Sequence, residues 1–158
     1  MIVLCYDGSA SANQAITAAR SIVGPVRALL LHVWEPATSL LGPAPFAGVE
    51  TWSGPQVAEL EAIATERANR TVEYGAKLAR ASGFSAEARL ERATHAVWRT
   101  ILEVADDCDA QLIVVGARGL SPIQSLLLGS VSTALVHHST RPILVVPLPA
   151  GDGPPEDR

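Results

Sequence analysis

Glycines at positions 116, 119 and 129, with Ser130 next and Ser132 close behind, set a spacing of G-x2-G-x9-G-S in the stretch GARGLSPIQSLLLGSVS. Residues of these types do anion chemistry with the backbone. Glycine lets the main chain approach a ligand closely and take positive φ. A helix starting at Gly129 would aim unpaired N–H groups and the positive end of its dipole at an anion, and Ser130 and Ser132 fall in its first turn. The loop follows Gln111–Val115, an apolar run that reads as a buried strand. Asp7, at the end of a second such run, Ile2–Tyr6, is placed to meet a ligand and to join Ser9 in capping the helix that follows, two compatible roles.

Other chemistries find less support. The first strand-to-helix turn is DGSASA, which lacks a dinucleotide fingerprint. No G-x-x-x-x-G-K-[ST] occurs, and the glycine loop has no lysine to grip phosphates, so a phosphate here is held mostly by backbone. Of the histidines at 32, 95, 137 and 138, the adjacent pair diverges around a helix and has no Cys or His at ligand spacing. That pair reads as a complement to the helix C-terminus, and no metal site of the protein's own is expected. A Mg²⁺ bridging bound phosphates needs few protein ligands and stays open. Cys5 and Cys108 lie in apolar contexts typical of inert thiols and suit a reducing compartment. Asp106, Asp107 and Asp109 precede the fourth strand and read as a solvated turn.

The elements that must position the loop alternate along the chain. Ile2–Tyr6 is a strand, and Ser9 caps a helix with Ala12, Ala15, Ile16, Ala19, Ile22 and Val23 on its apolar side, stopped by Gly24-Pro25. Ala28–Trp34 is the second strand. Glu35 to Pro55 has no periodicity and reads as a long loop, flanked by Trp34 and Trp52. Ser53 and Gln56 form a capping box for a helix that presents Val57, Leu60, Ala64, Ala68, Val72, Gly75 and Leu78. Ser85–Glu91 alternates and suits an edge strand. Thr94 is placed to cap a third helix carrying Val97, Ile101, Val104 and Ala105. A fourth helix is expected over Ser130–His138 and a last strand over Ile143–Val146. Five strands alternating with four helices predict an α/β fold, a mainly parallel doubly wound sheet with helices on both faces. Ligands of such sheets bind where the strand order reverses, at the carboxyl ends, between the loops after Asp7 and Gly116.

Composition agrees with one globular domain. The chain has 158 residues, 48% apolar and 18% charged, which excludes a disordered chain. The formal net charge is −4, and the basic residues are scattered arginines with the single Lys77, so neither nucleic acid nor an acidic membrane surface is an expected partner. No apolar run approaches the roughly 20 residues that cross a bilayer, and no cleavable leader is evident, so a cytoplasmic, soluble protein is expected. Residues 1–148 form the domain, and the proline-rich tail 149–158 reads as disordered.

The segments VLCYDGS, LHVWEP, GARGLSPIQSLLLGSVS and RPILVVP together resemble the universal stress proteins of the nucleotide-binding kind, over essentially residues 1–148. The resemblance implies strand order 3-2-1-4-5 and an ATP or AMP site at the crevice. It implies that Asp7 and the backbone of Val33 meet the adenosine, and that Val115, Gly116 and Gly119 lie close to the ribose and phosphates. Gly129, Ser130, Val131 and Ser132 would wrap the phosphates, with Arg118 either adding a cationic contact or facing solvent. Pro122 inside the loop and Cys5, where family members often carry proline, depart from the pattern without removing a needed donor. The resemblance also implies a homodimer through Ile143–Val146, which would cover an otherwise unpaired edge. The function expected is an ATP-, ADP- or AMP-binding regulator or sensor in stress physiology with a regulatory protein partner. Two alternatives stay open. One is a slow ATPase or transferase, with Glu35 orienting water and Ser130 on phosphate; the other is an interaction module that uses no nucleotide.

Overall fold

A computed structural model of the chain describes residues 1–36, 54–119 and 128–147. Among them the elements run β1 (Ile2–Cys5), α1 (Ala10–Val23), β2 (Arg27–Trp34), α2 (Gly54–Ala81), β3 (Ser85–Arg92), α3 (Val97–Asp107), β4 (Leu112–Gly116), α4 (Ser130–His138) and β5 (Ile143–Val146). The strands form one parallel sheet in the order β3-β2-β1-β4-β5, as the resemblance implied. β1 is central, with Val3 level with Leu29 of β2 and Ile113 of β4. Order reverses between β1 and β4, and that fixes where a crevice can open.

Because side chains alternate along a strand, the continuous apolar runs feed two cores. Leu4, Tyr6 and Leu30 point to one face and pack with Ile16 and Ala19 of α1 and Val72, Ala76 and Ala79 of α2. Val3, Cys5, Leu31 and Ile113 point to the other and pack with Ile101, Val104 and Ala105 of α3 and Leu135 of α4. Burial on both faces explains why these strands lack polar alternation. β3, at the sheet edge, has Ala86 buried and Ala88 exposed.

Several expectations change. Ile22 is 65% exposed, since it lies in the last turn of α1 on the rim of the apolar stripe. Thr94 does not cap α3: the N-cap is Ala96, without a side-chain bond, and Thr94 Oγ1 instead lies 3.1 Å from His95 Nδ1. Strand β1 stops one residue before Tyr6, and β4 runs from Leu112 to Gly116. Ser53, Trp52 and nearly all of the segment between Glu35 and Pro55 lie outside the described residues, as do Pro122 and the tail 149–158.

Candidate functional site

β1 gives way to a tight turn in which Gly8 takes φ +83°, a conformation that favours glycine. Asp7 Oδ1 accepts the Ser9 N–H at 2.9 Å, and Ser9 Oγ accepts the Ala12 N–H at 3.1 Å. Asp7 and Ser9 thus cap α1 together, while Asp7 Oδ2 is left facing the glycine loop. The proof of proximity is Gly119, where a Cβ would stand 2.8 Å from that oxygen. At Gly116 a Cβ would come within 2.5 Å of Ser11 Oγ and 2.8 Å of Ser11 backbone, so only glycine lets the first turn of α1 lie against the end of β4.

The same end of the sheet receives α4. Gly129 is its N-cap with φ −73° and ψ 166°, and no side chain caps it. The N–H groups of Ser130, Val131 and Ser132 have no carbonyl one turn below them within the helix. They stand at the positive end of its dipole.

Between these parts lies a cavity of about 250 Å³. Cys5, Leu31, Val33 and Val115 line it from the sheet, and Val97 and Ile101 from α3. Asp7, Gly116, Arg118, Gly119, Gly129, Ser130, Val131 and Ser132 complete the lining. All ten residues singled out from the sequence therefore border one space. Sequence reasoning missed Leu31, Val97, Ile101, Tyr6 and Ala12, which also border it. A signal existed for Leu31, which is one strand period from Val33, and for Val97 and Ile101, which share a helix face.

The hydroxyl of Ser132 has a different employment from the one expected. Ser132 is 2% exposed, and its Oγ lies 3.0 Å from both the Ala117 and Gly129 carbonyl oxygens, to which it donates. Ser130, one turn position outward, is exposed. Glu35 is exposed and does not border the cavity.

Ionisation at the site is shaped by burial. Burial, with Asp7 nearby as a smaller contributor, pushes the Cys5 thiol up to about 12, so it is no nucleophile at neutral pH. Burial likewise raises the Tyr6 phenol to about 12, and its hydroxyl donates to Asn13 Oδ1 at 2.7 Å. His32 is held below its usual value by desolvation, opposed by its bond to the Tyr6 carbonyl at 2.7 Å. Since a carbonyl only accepts, His32 Nδ1 carries the proton.

Elsewhere, the Arg92 guanidinium lies 5.9 Å from the centre of the Trp34 ring. His138 stacks on Trp98 with ring centres 4.4 Å apart, and His137 is exposed. No group of three His, Cys, Asp or Glu among the described residues is arranged to hold a metal ion. The aspartates before β4 pair with arginines, Asp106 and Asp109 with Arg141 and Asp107 with Arg89, at the amino end of the sheet. No described helix is long and apolar enough to cross a membrane. The arrangement at the carboxyl end can hold a flat apolar group against the sheet and an anion on backbone amides. Among the described lining residues Asp7 is the only carboxylate, and one of its oxygens is engaged in the turn.

Residues 1–147 match the model of the universal stress protein family. A universal stress protein of Thermus aquaticus is 31% identical over 147 residues, covering 92% of this chain and 96% of that protein. One from Mycolicibacterium smegmatis is 28% identical over 153 residues, covering 92% of this chain but only 47% of its own length. The chain thus spans about half of that longer relative. Among solved structures, the hypothetical protein MJ0577 aligns with a TM-score of 0.74 at 23% identity, over 95% of this chain and 96% of that one. An Arabidopsis thaliana family protein with AMP bound aligns at 0.62 with 16% identity, over 99% and 95% of the two chains. The Archaeoglobus fulgidus universal stress protein in complex with dAMP aligns at 0.58 with 20% identity, over 92% and 95%. At these identities the structural likeness carries the fold.

Proposed function

The chain belongs to the universal stress protein family, and from that premise we propose that it binds an adenine nucleotide, ATP, ADP or AMP, in the cavity at the carboxyl ends of β1 and β4. The observation that carries the reading is a division of labour within one space. Apolar side chains from sheet and α3 meet there with a glycine loop whose missing Cβ atoms leave room at Asp7 and Ser11. The base lies among Leu31, Val33, Val97, Ile101 and Val115, Asp7 Oδ2 takes the ribose, and the amides of Ser130 and Val131 take the phosphates. Gly116, Gly119 and Gly129 keep the backbone close to that ligand. Arg118 supplies a cationic contact at the rim. A Mg²⁺ with ATP would be held by the phosphates and water. The neighbours bound to AMP and dAMP support a nucleotide of this class.

The function that suits such a site is a regulator or sensor in stress physiology, working in the cytoplasm, in which bound nucleotide changes the surface a protein partner reads. Residues 1–148 act as one domain. Hydrolysis is absent or slow, because nothing described at the site is placed as a general base. β5 lies at the sheet edge with Ile143, Leu144 and Val145 half-buried, and a second copy pairing there forms a homodimer.

The test is to denature the purified protein, identify what it releases by mass spectrometry, and then melt the nucleotide-free protein with ATP or AMP. Released adenine nucleotide is expected, with a rise in Tm of about 5–10 °C near 100 times Kd. No released nucleotide and no shift at millimolar ATP and AMP would overturn the reading.

A further inference from the structure

The polar groups at the neck of the glycine loop bond to one another. The Ala117 N–H donates to the Val146 carbonyl at 2.8 Å, which ties the start of the loop to the end of β5. The Ala117 carbonyl accepts the Gly129 N–H at 2.7 Å and the Ser132 hydroxyl at 3.0 Å. Ser132 shares its single proton with the Gly129 carbonyl, also at 3.0 Å. On the opposite side the Arg118 N–H donates to Ser11 Oγ at 3.3 Å, from the first turn of α1. Ser11 and Ser132 are 1% and 2% exposed. Each is therefore a buried hydroxyl bonded to backbone at the neck of the loop.

We infer that Ser11 and Ser132 are positioning residues for the nucleotide site, two latches that hold Ala117, Arg118 and Gly129 against α1 and α4 so that the amides of Gly119, Ser130 and Val131 face one ligand. This rests on the nucleotide reading above and assigns neither hydroxyl to the ligand. The geometry favours it over a direct phosphate contact for Ser132, whose only proton is already directed at two carbonyls. Ser11 is also the residue whose backbone abuts Gly116. A larger side chain at either position would push the neck open. Alanine at 132 would take one of two hydrogen bonds from each of the Ala117 and Gly129 carbonyls, which keep the Gly129 and Thr133 N–H groups. Alanine at 11 would remove the hydroxyl that accepts the Arg118 N–H. Each is a loss of about 1 kcal/mol, roughly fivefold in an equilibrium constant. Of the two adenosine-side residues, Val33 lies outside this network, and Asp7 is held by its own Oδ1 bond to the Ser9 N–H although its Oδ2 faces Gly119, so the latches act first on the phosphate end.

The experiment compares wild type, Ser11→Ala and Ser132→Ala for affinity toward ATP and toward adenosine by calorimetry. It adds hydrogen exchange of the ligand-free proteins at residues 117–119 and 128–132. Each variant is expected to bind ATP roughly three- to tenfold more weakly while its affinity for adenosine stays within about twofold of wild type, and its loop-neck amides exchange faster before any ligand is added. Parallel weakening toward ATP and adenosine would mean a merely structural role and overturn the inference. So would weaker ATP binding with unchanged exchange in Ser132→Ala, which is the signature of a lost phosphate contact. Unchanged affinity for ATP would also overturn it. A wild-type protein that binds no nucleotide overturns the proposed function instead, and the exchange rates alone then decide the latches: unchanged rates sink them and faster rates support them.

Discussion

The two faces of the sheet are covered unequally. One carries α1 and the 28-residue α2, while the other carries α3 with 11 residues and α4 with nine. At about 1.5 Å per residue α2 runs roughly 42 Å, against roughly 17 Å and 14 Å for the shorter pair. On the long-helix face Gly75 allows so close an approach that a Cβ there would lie 2.5 Å from the Tyr6 ring and 2.7 Å from Leu30. On the short-helix face the core opens into the cavity beside Val97, Ile101 and Val115. Protein interiors otherwise pack without voids of this size. A cavity walled by apolar side chains of the sheet and α3, beside unpaired helix N–H groups, has room for something other than side chains. On the function proposed, the closed face holds the fold together and the open face holds the ligand.

Substitutions on the two faces should therefore fail in different ways. Gly75→Val, on the closed face, should lower stability by about 3 kcal/mol through overpacking against Tyr6 and Leu30, read from the urea midpoint. A loss under about 1 kcal/mol would show that this face has slack. Val97→Trp, on the open face, should fill the cavity, weaken ATP binding by about 100-fold, near 2.7 kcal/mol, and leave the urea midpoint almost unchanged. If instead it unfolds the protein and spares binding, the contrast between the faces is wrong. Ser9→Ala removes the hydroxyl that accepts the Ala12 N–H and should cost about 1 kcal/mol of stability. Its effect on nucleotide affinity should be smaller than that of Val97→Trp.

The smallest effect concerns pH. His32 half-buries its ring beside the Tyr6 carbonyl, and desolvation holds its folded pKa below the 6.5 of an unperturbed imidazole. Below that pH the unfolded chain binds the proton more readily than the native one, so stability falls as pH drops through 6.5 and is fully present above it. Urea titrations between pH 7.5 and 5 should show a steeper decline for wild type than for His32→Gln. Identical profiles would remove His32 as a contributor.

How much of this was legible in the sequence differs between the same regions. α4 and β5 fall where Gly129 and Pro142 mark them, since glycine and proline punctuate locally. The α3 start was misread because Thr94 is the kind of residue that caps helices, yet the helix begins beyond Ala96; a hydroxyl near an apolar run does not say at which residue the turn closes. The backbone half of the site was readable because glycine spacing is a local signal. The apolar half was not, because Leu31, Val97 and Ile101 become neighbours only when the sheet order and the helix faces are known. Ser11 gave no signal at all, being one serine in a helical first turn. That the Ser132 hydroxyl bonds the Ala117 carbonyl was not legible either, because helical position alone does not say which carbonyl lies beside it.

The most direct test of the account follows backbone amide resonances of the labelled protein by NMR as AMP is added. Saturable shifts should appear at Gly116, Gly119, Ser130 and Val131 and at Val33, while Ile63 to Ala79 of α2 stay in place. Absence of shifts at the glycines, or shifts centred on α2, would contradict the claim that the open face of the sheet is the nucleotide site.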